Sequence, residues 1–191
     1  MKKRRFAFVV MHKFLTSLFT TATITLILSC NSPLTNPAEL NQTSGPTKEI
    51  FLNRPHYKLK YFSDQTIDST DKDFDIDSYF ILNTASNNGS MSFFIFNTPI
   101  HEKEQIDAQV KAQLEKVIKN GTVTLFDTWG QYKGHGATIT GKIMGLMKGE
   151  VKIFVHSGDS CSFLAVHQFF DSDKEMDLPG LQLIEKTFKL K

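Results

Sequence analysis

Cysteine is scarce in this chain: two in 191 residues, Cys30 and Cys161. A disulfide framework is therefore excluded, and at most one bridge can form. There is no uninterrupted run of about 20 apolar residues, which leaves no comfortable membrane-spanning helix. Six histidines occur, but no two stand at a metal-site spacing such as His-Xaa-Xaa-Xaa-His, so nothing points to zinc. A basic surface is missing too. Five of the 22 basic residues (Lys2, Lys3, Arg4, Arg5 and Lys13) fall within the first 29 positions, leaving 17 against 20 acidic ones, net −3. That balance gives no footing for nucleic acid.

The first 29 residues read as a targeting segment. A basic start leads into the apolar, threonine-rich run Phe14–Leu28, which suits a signal-peptide core. Met11 followed by His12 and Lys13 would make a compact signal start of its own. The run closes on Ile27-Leu28-Ser29-Cys30. An apolar residue, a small residue and then cysteine resembles the lipobox of bacterial lipoproteins. The resemblance implies a diacylglyceryl group on the Cys30 thiol, cleavage before Cys30 and acylation of the new amino terminus. Such chains, at about 0.8 kcal/mol per buried CH₂, hold a protein on a bilayer essentially for good. Asn31 stands where an aspartate resembles a signal for inner-membrane retention, so export to the outer membrane is expected. With Cys30 acylated, Cys161 has no partner.

Residues 30–49 are rich in Asn, Pro, Thr and Ser and lack apolar periodicity. Such composition does not repay the entropy of ordering, so a flexible tether is expected. Residues 50–191 then make one domain, long enough to bury about 68–70% of its unfolded surface without staples.

His56-Tyr57-Lys58-Leu59-Lys60-Tyr61-Phe62 alternates as a strand. Ser78–Asn83 and Met91–Asn97 flank Asn87-Asn88-Gly89, a turn signal that pairs them antiparallel. From His101 to Lys119 the period changes. Ile106, Val110, Leu114, Val117 and Ile118 form one helical stripe, and Asn120-Gly121 is the expected stop. Thr122–Trp129 returns to period two, with Val123 and Leu125 on one face. Gln131–Gly136 reads as a glycine-bearing turn, Ala137–Ile143 as a strand, Gly145–Gly149 as a loop and Val151–Val155 as a strand. Ser160–Phe170 is apolar on both faces, the mark of a central strand. The sheet then needs cover on both sides: the long helix on one, and on the other a C-terminal segment with Asp177 as cap and Pro179 in its first turn. Thr187-Phe188-Lys189-Leu190 reads as a last short strand.

This order, with the Gly-Xaa-Gly turn Gly134-His135-Gly136 and the ending Leu183-Ile184-Glu185-Lys186-Thr187-Phe188-Lys189-Leu190, resembles the PsbP family of photosynthetic membranes. A small nuclear-transport factor that binds the GTPase Ran shares that fold. The resemblance implies an α+β fold, an antiparallel sheet with helices on both faces (an α/β/α sandwich), and a binding or assembly role; it carries over no catalytic residue. Tyr61-Phe62-Ser63-Asp64 stands where the family often has Tyr-Pro-Xaa-Xaa-Trp.

Three stretches invite chemistry. Val155-His156-Ser157-Gly158-Asp159-Ser160-Cys161-Ser162 contains a Gly-Asp-Ser core like those of two hydrolase groups. Cys161 replaces the glycine of the serine-protease block, and no histidine follows His167 to complete the lipase pattern. A serine nucleophile needs a base in reach, here His156 or His167. The structural alternative is a hairpin turn at Gly158-Asp159, and it is the preferred one; Cys161 as a nucleophile is set aside for its place on an apolar strand face. Asp71, Asp73, Asp75 and Asp77 alternate in a run of the kind that offers oxygens to calcium, but Ile76 and Leu82 stand where an EF-hand loop needs glycine and glutamate. Met144, Leu146 and Met147 gather at a hairpin tip, where exposure would mark a contact with a partner, a ligand or the membrane.

The sequence thus leads to a lipid-anchored, non-enzymatic envelope protein with no cofactor. Its acyl chains on Cys30 hold the membrane, and its domain binds an unidentified protein or small ligand. The competing class is a hydrolase using Ser160.

Overall fold

The structure is a computed structural model that describes residues 47–68 and 78–191. Cys30, Met11, tether residues 30–46 and the aspartate run 71–77 lie outside the described residues; Glu49, expected in the tether, instead pairs with Phe62 in a strand.

In chain order the elements are β1 (Glu49–Asn53), β2 (Tyr57–Phe62), β3 (Thr66–Asp68), β4 (Tyr79–Asn83), β5 (Ser90–Phe96), α1 (Glu102–Lys116), β6 (Ile118–Trp129), β7 (Tyr132–Ile143), β8 (Met147–Ser157) and β9 (Ser162–Phe170). A 3-10 turn, Asp171–Asp173, leads into α2 (Lys174–Thr187), and β10 (Lys189–Leu190) ends the chain. The fold is mixed α+β and mostly sheet. β1-β2-β10 form a three-stranded antiparallel sheet, and β3-β4-β5-β9-β8-β7-β6 a seven-stranded one.

β9 holds the middle of the large sheet, as its two apolar faces require. Phe163, Ala165 and Phe169 point into the main core, while Leu164 and Val166 are buried on the opposite face. The main core is aromatic. Phe188, just past α2, lies against Phe93 at 4.8 Å, Phe163 at 4.9 Å and Trp129 at 5.7 Å between ring centroids. Tyr57 of the small sheet stacks on Phe80 of β4 at 4.8 Å. Each such ring pair adds about 0.5–1.5 kcal/mol beyond the area it buries. Phe188 therefore joins the small sheet, α2 and the large sheet into one core.

Several sequence expectations are corrected. α1 ends at Lys116 with Val117 as its C-cap. Asn120 instead takes φ +53° at a register shift inside β6. The helix is also turned about its axis: Gln105, Ile106, Gln109 and Gln113 are buried, while Val110 and Leu114 are only half-buried. Glu102 explains the turn. Its Oε1 accepts the Ser157 N–H at 2.6 Å and its Oε2 meets His135 Nδ1 at 2.8 Å, so the first residue of α1 is fastened to β7 and β8.

Gln131–Gly136 is not a turn; β7 begins at Tyr132, and the reversal lies at Gly130, with φ +57°. Gly136 is strand because a Cβ there would run into the Phe126 ring of β6. Gly149 is likewise in β8, where a Cβ would come within 2.6 Å of the Phe169 carbonyl. In the β4–β5 connection the positive φ falls on Asn87, at +60°. Asp177 is not a cap. α2 starts three residues earlier, Asp173 is its N-cap, and Pro179 sits inside the helix.

Candidate functional site

Among the described residues β6 is an edge strand, paired only with β7. Its central residues Thr122–Leu125 are exposed. The sequence pattern sets Val123 and Leu125 on one face, and the register confirms it, yet Leu125 is 74% exposed. Between β6 and α1 runs a groove of 430 Å³ lined by Ile106, Val110, Leu114 and Leu125, with Asp107, Lys111 and Glu115 at its rim. The rotation of α1 creates this groove, because it leaves Val110 and Leu114 at the margin of the helix–sheet contact. Sequence periodicity alone had no signal for it.

Met144, Leu146 and Met147 stand at the β7–β8 tip with 40%, 78% and 48% exposure. The tip is held from its backbone. The Met144 N–H donates to the Val117 carbonyl at 2.6 Å and the Leu146 N–H to the Ile143 carbonyl at 3.0 Å. Met144 and Gly145 both take positive φ, +52° and +76°.

The Gly-Asp-Ser segment connects β8 to β9. Ser157 pairs with Ser162, so the connection runs over four residues, Gly158 to Cys161, rather than two, and the Gly158 N–H donates to the Cys161 carbonyl at 3.1 Å. Ser160 is exposed. His156 Nδ1 lies 2.8 Å from the Lys133 carbonyl and donates to it. A Cβ on Gly158 would lie 3.6 Å from the His156 Nε2, which places it on the loop side. His167 is elsewhere: five residues beyond Ser162 along β9, roughly 17 Å at the strand rise. Cys161 is half-buried against the core, and burial pushes its thiol pKa up.

His167 belongs to a different polar group that the sequence did not foreshadow. It is 4% exposed and lies opposite Lys152. Its Nε2 stands 3.9 Å from Glu150 Oε1, an open contact rather than a closed hydrogen bond, and has no other partner. Burial pushes the His167 pKa down, against the opposing pull of Glu150. The histidine ring beside Glu150, the largest influence, holds that carboxyl below the usual range; Lys174 and Lys152 reinforce it and burial opposes it. Lys152 donates to Glu185 Oε2 at 3.0 Å and lies over the Phe126 ring at 5.1 Å. These contacts tie α2 to β8. Among the described residues, no group of three or more His, Cys, Asp or Glu side chains is placed to hold a metal ion.

Among the described residues no helix is long and apolar enough to cross a membrane. No protein-family model matches the chain. No curated protein matches it either. Solved structures do show similarity. A crystal structure from Bacteroides thetaiotaomicron VPI-5482 aligns with a TM-score of 0.48 and 10% identity over 75% of this chain, which spans 48% of that protein's length. The solution structure of cyanobacterial PsbP (CyanoP) from Synechocystis sp. PCC 6803 aligns at 0.46 and 8% identity, over 84% of this chain and 100% of the other. LpqN of Mycobacterium tuberculosis, described as involved in cell envelope biogenesis, aligns at 0.45 and 12% identity, over 84% and 99%.

Proposed function

We propose that the chain is a lipid-anchored protein of a bacterial envelope, held on the outer membrane by acyl chains on Cys30, with a domain that binds a protein or small ligand and catalyses nothing. On this reading the domain is a PsbP-like sandwich with helices on both faces of the large sheet. Strand alternation supports that arrangement: α1 packs on β6, β7 and β8, whereas α2 contributes Leu181 and Ile184 to the aromatic core on the side of Phe154 and Phe163.

The observation that carries the binding role is Leu125, open to solvent above the groove beside α1. An edge strand without charge over Asn120–Phe126, beside an apolar slot, suits an extended segment that adds to the sheet and seats one side chain. A photo-crosslinking residue in place of Leu125, introduced in the native host, tests it. A single recurrent adduct supports the reading, and an absence of adducts at that position, with adducts from other surface sites, removes it.

One observation favours a second reading, a hydrolase using Ser160. The Nε2 of His156 lies on the side of the loop that carries this serine. Ser160→Ala separates the two: a binding module keeps its fold and its adduct, whereas a hydrolase loses turnover of ester substrates.

A further inference from the structure

We propose that the β7–β8 tip is a membrane-docking element, whose Met144, Leu146 and Met147 enter the boundary between headgroups and acyl chains of an anionic bilayer while Lys119, Lys142 and Lys148 meet its phosphates. The register places these lysines in one row. Lys119 of β6 lies opposite Lys142 of β7, which lies opposite Lys148 of β8. Cross-strand partners share a face of the sheet, and like charges set directly opposite one another are destabilising. All three are exposed. Among the described residues neither Lys142 nor Lys148 has an ion-pair partner. Lys119 reaches only the Glu115 carbonyl, at 3.5 Å. The nearby acids lie against other side chains: Glu115 at 3.9 Å from Lys111 and Glu150 at 3.9 Å from His167. Among the described residues nothing supplies the row with an anion.

The apolar part of the tip is equally unpartnered, and by construction. Beneath it Val117, Ile118 and Ile143 already fill the interior. The two positive φ angles and the bond from Met144 to Val117 hold the turn outward. Apolar residues ahead of a row of cations match the two layers of an anionic membrane surface, where each lysine is worth about 1 kcal/mol and each buried CH₂ about 0.8 kcal/mol. A protein pocket would have to match the same two features separately.

The inference deepens the envelope reading and rests on it for delivery to the bilayer. From an acylated Cys30 to Pro46 the chain has 17 residues, which reach at most about 60 Å, so the start of an anchored domain stays within that distance of the surface.

The test removes the anchor. Every residue of the aromatic core lies between Tyr57 and Phe188, so an unacylated chain starting at Asn31 keeps the folded unit. It is floated with vesicles of phosphatidylcholine alone or mixed equally with phosphatidylglycerol. The expected result is flotation with the anionic vesicles, falling about tenfold as salt rises from about 50 to about 500 mM. The pair Leu146→Ser and Met147→Ser should weaken it about tenfold or more, and so should the pair Lys142→Gln and Lys148→Gln, with melting unchanged for both. Lys103→Gln with Lys111→Gln should have no effect. Absence of flotation with anionic vesicles, insensitivity to both tip pairs, or a lowered melt for the tip variants would each overturn the proposal. So would a protein rather than lipid adduct from a photo-crosslinking residue at position 146 in the native envelope. Because Cys30 takes no part in the flotation, failure there leaves the anchor question separate.

Discussion

Asp177 on α2 accepts two hydrogen bonds from Ser86 in the β4–β5 connection, from its N–H at 3.0 Å and its hydroxyl at 2.8 Å. The carboxylate is buried. Gly89 fits beneath it because a Cβ would come within 2.9 Å of Oδ2. A helix that packs against the small sheet and β9 is thereby locked to a hairpin at the far side of β9.

Removing this carboxylate takes the acceptor from the Ser86 N–H and leaves the half-buried Ser86 hydroxyl only Thr84 Oγ1, at 3.2 Å. Asp177→Ala should lower stability by about 2–4 kcal/mol in urea unfolding. Asp177→Asn keeps one accepting oxygen and should cost less than the alanine change. Equal stability of the alanine variant would show that the clamp contributes nothing.

Phe188 is the common neighbour of five aromatic rings: Tyr57, Phe93, Trp129, Tyr132 and Phe163. Phe188→Ala should cost about 3–5 kcal/mol, and Phe188→Leu markedly less because most of the volume is kept. The urea midpoint measures both.

The His167 pKa is depressed by burial, so its contribution has a definite sign. The unfolded chain takes up a proton near the ordinary histidine value of 6.5, while the folded protein resists it. Stability is therefore full above that value and declines as pH falls through the range below it. Glu150, also depressed, acts in a lower window, below the ordinary carboxylate value of 4.5. Melts recorded from about pH 8 down to about pH 5 should fall for the native protein. In His167→Gln the fall should be smaller, and an unchanged slope would remove His167 as its source.

Cys161 should react slowly. Half-buried, with its thiol pKa raised, it has little thiolate at neutral pH. Native protein should take up a thiol reagent much more slowly than urea-unfolded protein, and equal rates would contradict the geometry.

Much of this architecture was legible in the residues. The two apolar faces of Ser160–Phe170 announced the middle of a sheet, and β9 is fourth of seven strands. The helical stripe after His101 gave α1, and of the expected last strand Thr187–Leu190 only Lys189 and Leu190 are strand. Partnership was less legible than periodicity. Nothing in Tyr57–Phe62 said that it would pair with Glu49–Asn53 and Lys189–Leu190 in a sheet of its own. Gly134-His135-Gly136 read as a turn because glycine serves turns and close approaches alike; here the Phe126 ring took the space. Val123 and Leu125 alternated like core residues, but alternation does not distinguish an edge strand from an inner one. Asp177 and His167 drew attention as a cap and a possible base; each proved to be an interior polar group whose partners come from distant segments.

The most direct measurement is intact-mass and peptide mass spectrometry of the protein purified from membranes of its own host. The account predicts a chain that begins at Cys30 and carries a diacylglyceryl group on the sulfur with a further acyl group on the new amino terminus. A soluble, uncleaved chain with the Cys30 thiol free would contradict it.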